Sequence, residues 1–179
     1  MTPTNEATAR VQLVFSLFDA DGNGCLEAAD FELMSERVTA AVPTAADGVK
    51  ERLAASFRRY WETLLTELDA NGDGRISPEE FASVVLNPQR FDAAVDEFAE
   101  ALAAMGDPEG DGFVARPEFV ALMLAIGFAP RNIEALFDAF GPDAGDRIRV
   151  GTWAEGIRDY YRPEKSGIPG DHLTATTSG

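Results

Sequence analysis

The chain has 179 residues, and 45% of them are hydrophobic, which is enough apolar material for a folded core and excludes an intrinsically disordered protein. Its 31 acidic residues outnumber the 15 basic ones, and the net charge of −16 disfavours nucleic acid and anionic membranes as partners. The same charge suits the binding of cations, although an acidic surface can also serve solubility alone.

The sequence carries no pattern typical of export or membrane insertion. The amino end lacks the apolar segment of a secretory signal, and no apolar run approaches the length of a membrane span. The one cysteine, Cys25, excludes an intramolecular disulfide. We therefore expect a cytoplasmic monomer that binds neither nucleic acid nor membranes. A protein target is compatible with the sequence but not indicated by it.

The first predicted helix carries Val14, Leu17 and Phe18 on one face and leads into an acidic loop at residues 19–30. The loop has oxygen-bearing side chains at positions 1, 3 and 5, glycine at position 6 and an acid at position 12. This spacing wraps a loop around a hard divalent cation. Position 12 is Asp30 rather than glutamate. Aspartate is one methylene shorter and favours binding through one oxygen, so we expect a site for magnesium as well as calcium.

The next predicted helix carries Phe31, Leu33, Met34 and Val38, and a long helical pattern then runs up to a second loop at residues 69–80. This loop fits the cation-binding pattern without a departure. Its expected ligands are the side chains of Asp69, Asn71 and Asp73, the backbone carbonyl of Arg75, Ser77 directly or through water, and both carboxylate oxygens of Glu80. Ser77 and Glu80 also form a capping box, which predicts a helix after the loop.

A third loop, at residues 107–118, follows another amphipathic helix. It keeps acids at positions 1, 3, 5 and 12 and glycine at position 6, but it departs from the pattern in three ways. Position 3 is Glu109, position 9 is Ala115, where a water would have to serve, and Gly106 precedes the loop where the first two loops have a large apolar residue. Because four carboxylates converge, we expect it to bind a cation. The alternative is an acidic linker between helices.

The fourth loop, at residues 141–152, keeps the frame of the others but not their chemistry. Glycine stands at positions 1 and 5, aspartate replaces glycine at position 6, and threonine stands at position 12. Arg147 and Arg149 place positive charge where a cation would bind. We expect a structural copy that no longer binds metal. Such loops work in pairs, so Leu26 should face Ile76 and Val114 should face Ile148, and the fourth unit would then cover the strand edge of the third.

The four units resemble the EF-hand superfamily over residues 8–162. The long interval between the first two loops and the aspartate that ends the first are similar to calerythrin and the sarcoplasmic calcium-binding proteins. The resemblance implies an all-α, compact fold with four EF-hand helix–loop–helix units in two paired lobes, at residues 1–87 and 88–162. A tail at residues 163–179 would follow, and tails in this family often pack on the core.

The resemblance also implies three ligand sets. The first site would use Asp19, Asp21, Asn23, Cys25 and Asp30, with Glu27 as a further candidate. The second would use Asp69, Asn71, Asp73, Arg75 and Glu80, with Ser77 as a further candidate. The third would use Asp107, Glu109, Asp111, Phe113 and Glu118.

Two functions fit these observations. The first is a calcium buffer or store, which the resemblance implies and which the scarcity of methionine favours, since calcium sensors grip their targets with methionine-rich grooves. The alternative is a sensor that exposes a hydrophobic groove and regulates a protein partner. An enzyme is not expected, because the chain has no nucleophile motif and no phosphate-binding glycine loop, and its one histidine lies in the polar tail.

Overall fold

The computed structural model describes residues 4–19, 22–68, 74–162, 164–165 and 167–174, apart from the side chains of Pro88 and Arg90. The α-helices of this part of the chain are α1 (Asn5–Phe18), α2 (Ala28–Ala41), α3 (Asp47–Leu68), α4 (Pro78–Val85), α5 (Pro88–Met105), α6 (Arg116–Ile126), α7 (Pro130–Ala139) and α8 (Val150–Tyr160). Two short strands, β1 (Phe113–Ala115) and β2 (Arg147–Arg149), and a 3₁₀ turn at Pro169–Thr174 complete it. No helix of the described residues is both long and apolar enough to cross a membrane.

The helices begin and end at local signals that the sequence carries. Ser77 caps α4 by accepting a hydrogen bond from the Glu80 amide at 3.2 Å, and the Glu80 carboxylate accepts one from the Ser77 amide at 3.0 Å, which confirms the predicted capping box. The helix α6 ends at Gly127, whose φ of 118° is open to glycine but strained for other residues.

The loops are joined in pairs at their eighth positions, as the sequence predicts. Leu26 and Ile76 exchange two backbone hydrogen bonds of 2.9 and 3.0 Å in an antiparallel bridge. In the second half of the chain, Val114 pairs with Ile148 in the antiparallel ladder of β1 and β2. All four side chains are buried. Each pairing fixes two loops side by side.

The two pairs of loops share one core. Helix α3 packs against α5, α5 packs against α8, and α2 packs against α6, so helices of the first half contact helices of the second. Tyr60 of α3 shows this mixing, since its ring lies 5.4 Å from that of Phe18, 4.7 Å from that of Phe91 and 6.2 Å from that of Tyr161. The all-α, compact fold expected from the sequence is confirmed.

Helix α2 turns one of its apolar residues towards solvent. Leu33 is 38% exposed. The buried stripe runs through Phe31, Met34 and Val38, at intervals of three and four residues. Leu33 lies one residue off that stripe, so the helix turns it away from the core.

The segment after α8 packs on the core through its 3₁₀ turn, which contacts α1, α7 and α8. Leu173 is buried there, and its carbonyl oxygen accepts a hydrogen bond from the Asn132 side chain at 3.2 Å. The fully buried Arg10 of α1 donates to the Tyr160 carbonyl at 2.8 Å and pairs with Asp171 at 2.6 Å. The carboxyl-terminal segment is thus fastened to the first helix of the chain.

Candidate metal sites

The third loop is described along its whole length and is held in a tight curl by its own aspartates. The two carboxylate oxygens of Asp107 accept hydrogen bonds from the amides of Asp111 (3.0 Å) and Gly112 (2.8 Å). Oδ1 of Asp111 accepts one from the Phe113 amide at 3.0 Å. The φ of Gly112, 86°, permits the sharp turn at position 6. Each carboxylate oxygen keeps a further lone pair for a cation.

Glu118, at position 12 of this loop, carries an unsatisfied atom. Its Oε2 is buried and has no hydrogen-bond partner among the described residues. Burying a carboxylate oxygen without a partner destabilises a fold, by about 1–3 kcal/mol for a polar group and by more for a charged one. A divalent cation bound to Glu118 would supply the missing partner. The donor set of the third loop, which is oxygen throughout, therefore fits calcium.

The carboxylate of Asp111 is stabilised in its ionised form. The hydrogen bond from the Phe113 amide lowers the pKa of Asp111 most, and the hydrogen bond with Asp107 and the positive charge of Arg147 lower it further. A metal ligand must be deprotonated, so this environment keeps the carboxylate ready to bind.

The carboxylates of the described loop residues do not converge on one point as a complete set of metal ligands. Across the described ranges, no three histidine, cysteine, aspartate or glutamate side chains form a group that could hold a metal ion by themselves. In the third loop the aspartates are held by backbone amides, and Glu109 is exposed. A cation here would also need backbone oxygen, for which the Phe113 carbonyl is the expected source, and water.

The first loop repeats the hydrogen bonds of the third. Asp19 accepts from the amides of Asn23 (3.2 Å) and Gly24 (2.9 Å), and Asn23 Oδ1 accepts from the Cys25 amide at 3.1 Å. The φ of Gly24 is 86°, the same as that of the corresponding glycine of the third loop. The described part of the first loop thus shares this turn and these hydrogen bonds with the third. Asp21, the expected ligand at position 3, lies outside the described residues.

The end of the first loop is buried at Asp30, which is 4% exposed. Its Oδ2 accepts a hydrogen bond from the Glu27 amide at 3.0 Å, and its role as a cation ligand stays a prediction. Glu27 itself forms an ion pair with Arg75 of the second loop at 2.9 Å. A role for Glu27 as a ligand stays a prediction, and it would compete with this ion pair.

The second loop is described only in its later half, because Asp69, Asn71 and Asp73 lie outside the described residues. Gly74, at position 6, has a φ of 68°, as the tight turn requires. Ser77 and Glu80 form the capping box at the start of α4. Oε1 of Glu80 accepts a hydrogen bond from the Ser77 amide there, and the expected binding of a cation through both carboxylate oxygens stays a prediction.

The fourth loop is organised by arginine side chains. Arg116, the first residue of α6, donates to Asp138 (2.8 Å), to Asp146 (2.8 and 2.9 Å) and to Glu134, and it stacks over the Phe137 ring at 4.5 Å. These acids hold the pKa of Arg116 above its ordinary value. Asp146 has a φ of 59°, a strained region for a residue other than glycine, and the guanidinium stabilises it there.

Sequence reasoning missed Arg116, which reaches from the third unit to the fourth. A signal for it exists, since Glu134 and Asp138 are four residues apart and so present two acids on one face of α7. It also missed the buried Arg10. Arg10 lies three residues after Ala7 and four before Val14, which is the spacing of residues on one helix face, and that face of α1 is buried.

Comparison with known proteins agrees with this architecture. Residues 8–86 match the family model of an EF-hand domain pair. The chain is 33% identical over 123 residues to polcalcin Cup a 4 of Hesperocyparis arizonica, covering 64% of this chain and 72% of the relative. It is 24% identical over 162 residues to calerythrin of Saccharopolyspora erythraea, covering 87% of this chain and 92% of the relative.

Among solved structures, a calcium-binding protein from Streptomyces coelicolor superposes with a TM-score of 0.70 at 24% identity, covering 87% of this chain and 98% of the other. Its structure was described as a basis for prokaryotic calcium-mediated regulation. These relatives are calcium-binding proteins rather than enzymes, in agreement with the sequence.

Proposed function

The chain belongs to the EF-hand family of calcium-binding proteins, and on this premise we propose that it binds calcium at residues 19–30, 69–80 and 107–118 and acts as a buffer or store of the ion. The orphaned, buried Oε2 of Glu118 carries the proposal most directly, because a bound cation would satisfy it. Three divalent ions would add six positive charges and change the net charge from −16 to −10. Calcium would thereby relieve repulsion among the acids of each loop.

The test of calcium binding is thermal unfolding with chelator and with excess calcium. A ligand that binds only the folded protein stabilises it by about 2.7 kcal/mol per site at a free concentration one hundred times its Kd. We expect a large rise in melting temperature with calcium, and a much smaller rise in the triple variant Asp30→Asn, Glu80→Gln, Glu118→Gln. Amide side chains keep the capping hydrogen bonds and remove the charges that a cation needs. An identical melting curve with and without calcium would refute the proposal.

A buffer role is supported by the burial of apolar surface between the two halves. The large hydrophobic side chains that are exposed among the described residues are Leu33 and Leu124, at 38% and 45%. A cavity of about 60 Å³ lies in the core, lined by residues of both halves, among them Met34, Phe98 and Met123. A helix with its side chains is about 10–12 Å across, so a cavity of this volume is far too small for a target helix.

A sensor is the second candidate, and the description of the Streptomyces coelicolor protein favours it. The two roles differ in how much apolar surface calcium exposes. A dye that fluoresces on apolar surface separates them. The buffer predicts little change in dye fluorescence when calcium is added, whereas a large calcium-dependent rise would assign the sensor role.

We further propose that the first loop accepts magnesium as well as calcium, because Asp30 at position 12 is one methylene shorter than Glu80 of the second loop and so favours binding through one oxygen. Calcium titration with and without millimolar magnesium tests this. Magnesium should weaken calcium binding at the first loop of the unmodified protein. In the variant Asp30→Glu, it should leave calcium binding at this loop nearly unchanged. Equal competition in both proteins would refute the assignment.

The fourth loop is proposed to bind no metal, and the cytoplasmic location stays a prediction.

A further inference from the structure

Arg147, at position 7 of the fourth loop, folds its side chain back across its own loop. Its Nη2 lies 3.6 Å from Oδ2 of Asp143, at position 3. Its Nε lies 3.0 Å from the point where a Cβ on Gly145 would stand, so a larger residue at position 5 would meet it. The absence of a side chain at position 5, which removes a metal ligand, is thus what makes room for the arginine.

The same guanidinium reaches the third loop. It lies over the Phe113 ring, with 4.5 Å between the guanidinium carbon and the ring centre. Its Nη1 is 3.8 Å from Oδ2 of Asp111, an expected calcium ligand. Arg147 therefore places a fixed positive charge between an acid of the fourth loop and an acid of the third.

The position of Arg147 follows from packing more than from strong hydrogen bonds. Its side chain is 40% exposed, and both ion pairs are long. Its Nε is buried and has no hydrogen-bond partner within the described residues. The ring of Phe113 packs against the group, and its charge acts on the third loop across the short distance between the paired strands.

We propose that Arg147 is an internal cation, which occupies the fourth loop in place of a metal ion and lowers the calcium affinity of the third loop. This inference rests on the proposed binding of calcium at residues 107–118. The charge that lies 3.8 Å from Oδ2 of Asp111 also repels an arriving divalent cation. The fourth loop would then set the calcium affinity of the third loop, in addition to pairing with its strand.

Calorimetric titration in a background of Asp30→Asn and Glu80→Gln tests the inference, because only the third loop is then expected to bind. In about 20 mM salt, Arg147→Gln should tighten calcium binding by about threefold to tenfold, while Arg147→Lys, which keeps the charge, stays within about twofold of the background. In 1 M potassium chloride the effect of Arg147→Gln should fall below about twofold, since salt screens exposed charges. Arg37→Gln makes the same change in net charge on an exposed position of α2 and should leave the affinity unchanged.

The outcomes are distinguishable. Unchanged or weaker binding in Arg147→Gln, or equal tightening by the Arg37→Gln control, would overturn the role of Arg147. The proposed function would be overturned instead if the background protein released or absorbed no heat on calcium addition and the further change Glu118→Gln made no difference. Circular dichroism and urea unfolding in chelator establish that each variant is folded before it is titrated.

Discussion

The buried Arg10 offers a sharp test of how the carboxyl-terminal segment is held. This arginine is fully buried and donates four hydrogen bonds, to the carbonyls of Tyr160 (2.8 Å), Arg162 (3.0 Å) and Lys165 (3.1 Å) and to the carboxylate of Asp171 (2.6 Å). Arg10→Met keeps much of the side-chain volume but removes every donor. The three carbonyls and the carboxylate would then lose their shared partner.

The expected cost is large in relation to the stability of the whole domain. Removing one partner of a buried ion pair destabilises a protein by about 3–5 kcal/mol, because the remaining charge is left uncompensated. Asp171 is 20% exposed on its side chain, so water relieves part of this penalty and we expect the lower end, about 3 kcal/mol. Typical domains unfold with only about 5–15 kcal/mol, so this loss is readily measured.

Urea unfolding at fixed free calcium provides the assay, and limited proteolysis of the native protein should show earlier cleavage between α8 and the 3₁₀ turn. Arg37→Met, on an exposed position of α2, is the matched control and should change the free energy of unfolding by less than about 0.5 kcal/mol. A loss below about 1 kcal/mol in Arg10→Met, with unchanged proteolysis, would refute the view that Arg10 fastens the segment.

Two further predictions concern the packing and ionisation of the core. A Cβ added at Gly106 would lie 2.9 Å from both the Trp153 ring and a Val114 methyl group, so Gly106→Ala should cost about 1–3 kcal/mol in urea unfolding, and Trp153→Phe should recover part of it; a stabilising Gly106→Ala would contradict this packing. Burial raises the pKa of Tyr161 to about 12 and that of Tyr60 well above its ordinary range. Since the unfolded phenols titrate near pH 10, stability is complete below about pH 10 and falls as the pH rises towards 12, by up to about 1.4 kcal/mol per pH unit for each tyrosine. Urea unfolding from pH 9 to 11.5 should show a shallower decline in Tyr161→Phe, and an identical decline in both proteins would rule out this cause.

The repeating frame could be predicted from the sequence because its signals are local. Loop spacing, helix caps and apolar periodicity each lie within a dozen residues, and they predict the backbone pairing of Leu26 with Ile76 and of Val114 with Ile148 that the structure shows. Because such loops pair at position 8, two loop patterns found separately in the sequence are enough to predict a contact between distant residues.

The arginine contacts could not be predicted in the same way. Arg10 meets Asp171 across 161 positions of sequence, and Arg116 meets Asp146 across 30. No short pattern relates these residues, and each pair forms only after helices from distant segments have packed. The departure at Gly106 is explained by the same kind of contact, because Trp153 fills the space beside it.

Calorimetric titration of the chelator-treated protein with calcium counts the sites. We expect three calcium ions per chain, and a loss of one ion in each of the variants Asp30→Asn, Glu80→Gln and Glu118→Gln. Absence of calcium heat in the unmodified protein, or a Glu118→Gln variant that retains the full number of bound ions, would contradict this expectation.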